Sequence, residues 1–395
     1  MSSGYYEFFC PVKVLAGHHA LEQVPFELAT LGVKRPLLVT DAGVRRAGLV
    51  DVVVAALEAG GLKAVPIFDA IPPDSSNTVV AKAAELSRDH RCDSLVALGG
   101  GSVIDTAKAV NVLTSLGGDD IHAYAGSGKI ARKLTPLFVL PTTSGTGSEV
   151  TNISVVKDEL TGLKQSYQSP FLMPDAAVLD PRLTLGLPPF FTAATGMDAM
   201  THAIESYVCM QKNPLSDAFA VKAIEKIARN LVLVLESPKD AEGRLELAQA
   251  ATFAGIAFSN SMVGLVHALG HTTGAVAHLP HGVCMSVFLP YVLEFNLDVR
   301  RDAIGELLLP LAGAEVFART PVPERAAASI AKIRKLRDEL YRLAELPRTL
   351  AETGKVKRGD LPRIAELCVD DAALAMNPKD VSRAEALAVL ERAFG

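Results

Sequence analysis

The chain has only five cysteines, Cys10, Cys92, Cys209, Cys284 and Cys368, in 395 residues, widely separated and without a C-x-x-C pair. They read as free thiols in a reducing compartment, which excludes a disulfide scaffold. No uninterrupted apolar run reaches the ~18 residues that a membrane span needs. The start, "MSSGYYEFFCPVKVL", lacks the basic opening and long apolar core of a signal peptide. The expectation is a soluble, cytoplasmic protein. A basic stripe is missing and the net charge is −5, which argues against a nucleic-acid surface while leaving room for a basic pocket around one phosphorylated ligand. There is no internal repeat and no low-complexity tract. Neither a G-x-S-x-G elbow nor a Cys–His signature is present, so nothing points to a covalent nucleophile.

What is present is an ordinary globular composition, 49% hydrophobic and 21% charged. The chain is longer than one core usually serves, so two domains are expected. Up to about residue 185, apolar runs such as "RPLLVTDAG", "CDSLVALGGG" and "TPLFVLPTT" alternate with helical stretches such as "NTVVAKAAELSRDH" and "SVIDTAKAVNVLTS". Strand alternating with helix predicts a doubly wound parallel sheet. Beyond "LGLPPFF" the chain turns to long Ala- and Leu-rich segments at helical spacing. The prediction is an α/β domain over 1–185 and an all-α domain over 186–395, with "ARTPVPERAAAS" separating helices inside the second.

Three stretches of the first domain carry ligand chemistry. "SLVALGGGSVIDTAK" runs a buried strand into Gly99, Gly100, Gly101 and Ser102 and then a helix. Glycines let backbone N–H groups approach a phosphate, and the helix N-terminus adds its positive dipole end. The spacing is not G-x-G-x-x-G, and a ligand-free tight turn is the competing reading. Asp105 lies one turn further along that helix and is assigned to the same cofactor site. The loop "PTTSGTGSEVT" follows another strand and offers Thr142, Thr143 and Ser144 at the same sheet edge, where open α/β folds bind ligands. It also reads as a hydroxyl-rich helix cap. Asp41, closing "LLVTDAG", can accept hydrogen bonds from an adenosine ribose and repel a 2′-phosphate, or simply make a turn before glycine.

The second domain concentrates histidine. Four of the chain's nine, His267, His271, His278 and His281, fall within "GLVHALGHTTGAVAHLPHG". His267 and His271 share a helix face at spacing four, and the Leu-Pro break before His281 lets the chain turn back toward it. Upstream, "ATGMDAMTHAIESYV" sets Asp198 and His202 four apart. One carboxylate with two or three imidazoles is a divalent-metal set. Buried, hydrogen-bonded core histidines are the plainer alternative. Glu205 is left outside the set as a solvated or capping charge.

"GGGSVIDTAK", "PTTSGTGSEVT", "GMDAMTHAIESYV" with "NPLSDAFAVKAI", and "GLVHALGH…LPHG", in this order, resemble the iron-dependent (group III) alcohol dehydrogenases over nearly the whole chain. The resemblance implies an N-terminal dinucleotide-binding domain and a helical metal domain. It implies that Asp198, His202, His267 and His281 ligate Fe(II), or Zn(II) as in some relatives, and that His271 lies beside the nicotinamide and substrate. It places Gly99, Gly100, Gly101, Ser102, Thr142, Thr143 and Ser144 on NAD, with Asp41 favouring NAD over NADP. Asn152 and Phe258 border the substrate cavity in some relatives. His278 matches no functional position and is taken as structural. The implied reaction is interconversion of small primary alcohols and aldehydes, in a homodimer. A Zn-dependent glycerol or polyol dehydrogenase is the nearest alternative, and relatives of maleylacetate-reductase type also exist. A dehydroquinate-synthase-like lyase would need basic residues beside the histidines that the helical half does not supply. A non-catalytic scaffold would show a broken ligand set, and this set is whole.

Overall fold

In the apolar runs of the first half, residue parity decides which of two cores a side chain enters. Leu37, Val39, Leu95, Ala97, Leu137 and Val139 pack into one core, while Leu38, Val96, Leu98, Phe138 and Leu140 pack into the other. A strand buried on both faces must be apolar at every position, which is why these runs read as continuous rather than alternating. The computed structural model describes residues 5–62, 65–162 and 164–395. They divide into two units, Cys10–Leu187 and Pro188–Gly395, with residues 5–9 belonging to the second.

In chain order the first unit contains β1 (Lys13–Ala16), α1 (Val24–Thr30), β2 (Pro36–Val39), α2 (Ala42–Arg46), α3 (Leu49–Ala59), β3 (Ile67–Phe68), α4 (Asn77–Asp89), β4 (Ser94–Gly99) and α5 (Gly101–Leu116). There follow β5 (Gly126–Ser127), β6 (Leu137–Pro141), β7 (Ile153–Lys157), β8 (Lys164–Gln168) and β9 (Ala176–Leu179). The main sheet has the order β1-β9-β6-β4-β2-β3 and every pairing in it is parallel. Residues of α4 and α5 fill one core, and residues of α1 and α3 the other, so helices cover both faces as the alternating pattern predicts. The chain winds outward from β2 to β3, returns to β4 on the other side of β2, and then continues the opposite way to β6. That reversal between β2 and β4 is a topological switch point, the place where open α/β sheets leave a ligand crevice at the strands' carboxyl ends.

Not all of this sheet content follows from the sequence pattern. The second sheet, β5-β8-β7, includes an antiparallel β7–β8 hairpin, so the strands of this unit are not all parallel. In β7 buried residues alternate with half-buried ones, as in a strand more fully covered on one face than on the other. Residues 5–9 depart from the 1–185 division for a simple reason: they pack on helices of the second unit. Phe8 stacks on Phe219 with ring centroids 5.8 Å apart, and the Phe9 N–H donates to Asn260 Oδ1 at 2.7 Å.

The second unit is helical: α6 (Pro189–Val208), α7 (Pro214–Glu236), α8 (Ala241–Ser259), α9 (Leu265–Ala277), α10 (His281–Phe295), α11 (Leu297–Glu306), α12 (Leu308–Ala312), α13 (Ala314–Arg319), α14 (Arg325–Ala344), α15 (Leu361–Cys368) and α16 (Arg383–Phe394). Among the described residues no single helix is long and apolar enough to cross a membrane. Small residues let its central helices approach closely. Ala193, Ala199 and Ala203 of α6 and Ala250, Ala254 and Ala257 of α8 are fully or nearly fully buried. Nearly every side of α6 is buried, so the polar residues it carries, Asp198, His202 and Glu205, lie inside the unit rather than on its surface. The first turn of α10 is pressed against α6, because a Cβ at Gly282 would lie 2.2 Å from the Ala194 carbonyl oxygen. That contact sets the position of the neighbouring His281.

Gly282→Ala is therefore expected to destabilise the protein by about 1–3 kcal/mol, the range for forced overpacking, and to lower its metal content. At Gly274, in α9, a Cβ would meet nothing closer than 3.5 Å. Gly274→Ala should raise stability by up to ~1 kcal/mol through helix propensity. Thermal midpoints and metal analysis of the two variants check both expectations, and equal midpoints would contradict the steric argument.

Candidate metal centre

Three helices contribute to one cluster of donors. On α6, Asp198, His202 and Glu205 are spaced by four and three residues and so share a face. The same spacing puts His267 and His271 on one face of α9, and His281 opens α10. One ligand atom from each of Asp198, His202, His267 and His281 lies within 4.8 Å of all the others. The Asp198 Oδ1 is 3.2 Å from His281 Nε2 and 3.9 Å from His202 Nδ1. The His202 and His267 rings are 4.5 Å apart, and those of His267 and His281 5.4 Å. Asp198, His202 and His267 are buried, while the His281 side chain is 39% exposed and opens the cluster to one side.

Whether a cation fits can be tested on the polar atoms themselves. Asp198 Oδ1, His202 Nδ1 and His267 Nε2 are closed to solvent and have no hydrogen-bond partner. Leaving one buried polar atom unsatisfied costs roughly 1–3 kcal/mol, and three that converge on one point would be satisfied together by a divalent ion. Burial pushes the His202 imidazole down to about 3, with His267 and His281 lowering it further and Asp198 opposing. Burial likewise holds His267 well below the ordinary histidine range. Both rings are neutral near pH 7 and offer lone pairs. For Asp198, burial pushes upward, but His202 and His281 outweigh it and keep the carboxyl well below the usual carboxylate range. One carboxylate oxygen and three imidazole nitrogens make a donor set suited to Fe(II) or Zn(II).

Glu205 proves to be part of this centre and not a solvated charge. Its side chain is buried, with Oε2 2.5 Å from His267 Nδ1 and Oε1 accepting the Val266 N–H at 2.7 Å. Burial raises its carboxyl to about 7. The contact makes His267 Nδ1 the hydrogen-bonded nitrogen, so Nε2 is the one that faces the cluster. The same carboxylate caps the N-terminus of α9. Gly264 precedes that helix, and a Cβ there would lie 3.2 Å from Glu205 Oε1, so a side chain would crowd the cap.

His271 does not join the ligand set but borders it. Its side chain is 45% exposed, its ring stacks on His281 at 5.5 Å and 18°, and its Nδ1 lies 3.1 Å from Asp371 Oδ2. Phe258 stacks on the His202 ring at 4.3 Å and 16°, so it walls the cluster directly. His278 ends α9 in the left-handed conformation, exposed, with its carbonyl accepting from Lys355. Asn152 lies in the first unit, where its carbonyl accepts the Ser169 N–H at 3.0 Å.

In the first unit the three segments expected to bind the cofactor follow β2, β4 and β6 at the carboxyl edge of the sheet. None of Gly99, Gly100 and Gly101 has positive φ; what they provide is room. A Cβ would lie 2.5 Å from Val103 at Gly99, 3.3 Å from Thr143 at Gly100, and 2.9 Å from Thr146 at Gly101. The loop after β6 can thus sit against the start of α5, and the Thr142 N–H donates to the Gly99 carbonyl at 3.1 Å. No side chain caps α5, so its first N–H groups suit an anion. Thr142 and Ser144 are buried and Thr143 half-buried. The Ser102 hydroxyl is engaged by the Pro73 carbonyl, leaving its backbone as the part suited to a phosphate. Asp41 caps α2, its Oδ1 accepting from Gly43 at 2.7 Å and Val44 at 2.9 Å.

Asp105 is a correction. One turn into α5 it faces β7, where Oδ2 accepts the Val155 N–H at 3.1 Å, and burial raises its carboxyl to about 6. It fastens the helix to the second sheet instead of reaching the sheet edge. Three residues on, the fully buried Lys108 donates to the carbonyls of Thr151 and Ile153, both at 2.8 Å, and to the Thr151 hydroxyl at 3.0 Å. Sequence reasoning passed over Lys108, although a lysine inside an apolar helix segment is itself a signal of a buried partner.

Replacing Glu205 by Gln keeps an acceptor for Val266 but replaces the carboxyl behind His267 with an amide. Metal affinity should fall roughly 10–100-fold, the usual effect of losing a partner behind a ligand. Competition with a chromophoric chelator measures it, and an unchanged affinity would contradict the role given to Glu205.

Comparison with known proteins agrees with this geometry. Residues 11–181 match the family model "iron-containing alcohol dehydrogenase", and residues 192–394 match that family's C-terminal model. Alcohol dehydrogenase 4 of Saccharomyces cerevisiae (strain YJM789) is 35% identical, with 98% of each chain covered. NAD-dependent methanol dehydrogenase of Bacillus methanolicus is 34% identical over 94% of this chain and 95% of its own. Among solved structures, a 1,3-propanediol oxidoreductase superposes with a TM-score of 0.94 at 33% identity, covering 99% of this chain and 100% of that one. The chain belongs to the iron-containing alcohol dehydrogenase family of oxidoreductases.

Proposed function

We propose that the protein interconverts small primary alcohols and aldehydes with NAD as hydride carrier and one divalent metal, Fe(II) by preference, held by Asp198, His202, His267 and His281. The observation that carries this reading is the convergence of three solvent-closed, unpartnered donor atoms on one point. When bound, the metal supplies a Lewis acid that brings an alcohol hydroxyl's pKa toward neutrality. The alcohol then loses a hydride from its carbinol carbon to NAD⁺ and a proton from its hydroxyl. His271, beside the ligands and open to solvent, takes that proton, since an imidazole nitrogen can accept a proton and its exposed side can pass it to water. Phe258 walls the ligands with an apolar ring, which suits an unbranched alcohol without a charged tail.

The phosphates of NAD are assigned to the first turn of α5 and the loop at Thr142, Thr143 and Ser144. Asp41 uses Oδ1 as a helix cap, and its charge at the end of β2 disfavours a 2′-phosphate. Five free cysteines, three of them buried, suit a reducing cytoplasm. A homodimer is the assembly suggested by the family resemblance.

Protein purified without oxygen should contain near-stoichiometric iron and reduce NAD⁺ with short 1-alkanols, and His267→Ala should lose both. Zinc with glycerol turnover would favour a polyol dehydrogenase, and no metal with no turnover would sink the proposal. Asp41→Ser keeps a capping oxygen for α2 while removing the charge. It should raise kcat/KM for NADP⁺ roughly tenfold, a modest short-range charge effect; an unchanged NAD/NADP ratio would remove Asp41 from cofactor selection.

A further inference from the structure

His271 is a half-exposed imidazole, yet it is held from two sides. One face of its ring lies against His281. Its Nδ1 is 3.1 Å from Oδ2 and 3.3 Å from Oδ1 of Asp371, a residue 100 positions away in the chain. Asp371 is itself fixed, since Oδ1 accepts the Ala373 N–H at 2.9 Å at the start of a short 3-10 helix, Ala372–Met376. Its side chain is mostly buried. Burial pushes this carboxyl upward, but the His271 hydrogen bond leads the interactions that outweigh it, and Asp371 stays below the usual carboxylate range.

We infer that Asp371 is a positioning residue that fixes both the orientation and the tautomer of His271. An ionised carboxylate can only accept, so the nitrogen facing it must be the donor. With Nδ1–H committed to Asp371, the lone pair resides on Nε2, the nitrogen able to take a proton. A neutral imidazole without this partner divides between two tautomers and rotates about its side-chain bonds, so the accepting nitrogen is presented only part of the time. The inference rests on the assignment of the alcohol's proton to His271. In that step the hydroxyl O–H bond breaks, its electron pair stays on oxygen, and the proton bonds to Nε2, while the C–H pair leaves as hydride for NAD⁺. Asp371 exchanges no proton.

The substitution that separates positioning from packing is Asp371→Asn. The Asn oxygen can still accept from Ala373, but its amide presents a donor to His271 and so favours the Nε2–H tautomer. A second variant, Asp371→Ser, keeps a short capping oxygen and cannot reach the ring. Metal content and thermal midpoint should stay near those of the parent protein in both. With saturating NAD⁺ and a 1-alkanol, kcat should fall about tenfold or more, part of the ~10²–10⁴-fold that acid–base groups contribute, while KM changes less than about threefold. In the His271→Gln background the same Asp371 variants should cause no further loss, since the two residues act as one unit.

Nitrogen-15 spectra of histidine-labelled protein, with the His271 signals assigned from their absence in His271→Gln, give a readout independent of turnover. In the parent protein Nδ1 should be the protonated nitrogen, and in Asp371→Asn the ring should shift toward Nε2–H. An Nδ1–H ring in both proteins, undiminished kcat in Asp371→Asn, or an equal additional loss in the His271→Gln background would each overturn the inference. Full turnover by His271→Gln would retract the proton's assignment to His271, while the spectra would still decide whether Asp371 sets its tautomer.

Discussion

A single buried carboxylate, Glu205, links the helices that carry the metal centre. It stands on α6, one turn from His202, accepts the Val266 N–H at the start of α9, and faces the His267 Nδ1. A charge in such a place is unfavourable, and the hydrogen bonds and helix N-terminus offset only part of that cost, since burial still raises the carboxyl to about 7. Position and chemistry are thereby coupled. Any movement of α9 relative to α6 breaks the cap and turns the ligand at the same time. Asn377 reinforces the joint, its Oδ1 accepting the Leu265 N–H at 3.3 Å and an Asn296 amide hydrogen at 3.1 Å.

The three carboxylates around the histidines differ in environment, and the difference divides their roles. Asp198 sits among imidazoles and keeps a free oxygen turned toward them. Glu205 is enclosed, with both oxygens already committed to α9. Asp371 holds a histidine that remains open to solvent. One carboxylate would therefore contribute charge to a bound metal, one orients a candidate ligand, and one holds the imidazole beside the ligand set. A carboxylate gains each role from its neighbours, since all three have nearly the same unperturbed acidity.

That dependence on neighbours also explains what the sequence could reveal. Asp198 with His202, and His267 with His271, were legible because helical spacing alone puts each pair on one face. The central strands were legible because continuous apolar runs ended in glycine or in hydroxyl residues. Glu205 stood at suitable spacing too, but its burial depends on α9 docking, with a partner 62 residues away. No local rule reports such a contact, and a helical Glu was reasonably read as solvated. Asp371 is more remote still. Asp105 misled in the opposite way: it follows the glycine-rich turn in sequence, yet helix rotation turns it toward β7. The edge strand β1 and the two-residue β5 are too short to leave a pattern, and the β7–β8 pairing falls where only parallel crossovers were expected.

The remaining question is why such a centre should select a metal ion over protons, which would also satisfy its lone pairs. Protonating His202 or His267 places a positive charge on a buried ring that burial already holds toward the neutral form, with a second imidazole close by. Protonating Asp198 discards the anion that its histidine neighbours favour. Each proton satisfies one atom and leaves the others as they were. A divalent ion satisfies all the donors from one position and leaves the rings uncharged, so the centre resists protons and favours a metal for the same reason. Because these donors come from three separate helices, metal binding also favours the folded arrangement, and affinity and stability rise or fall together.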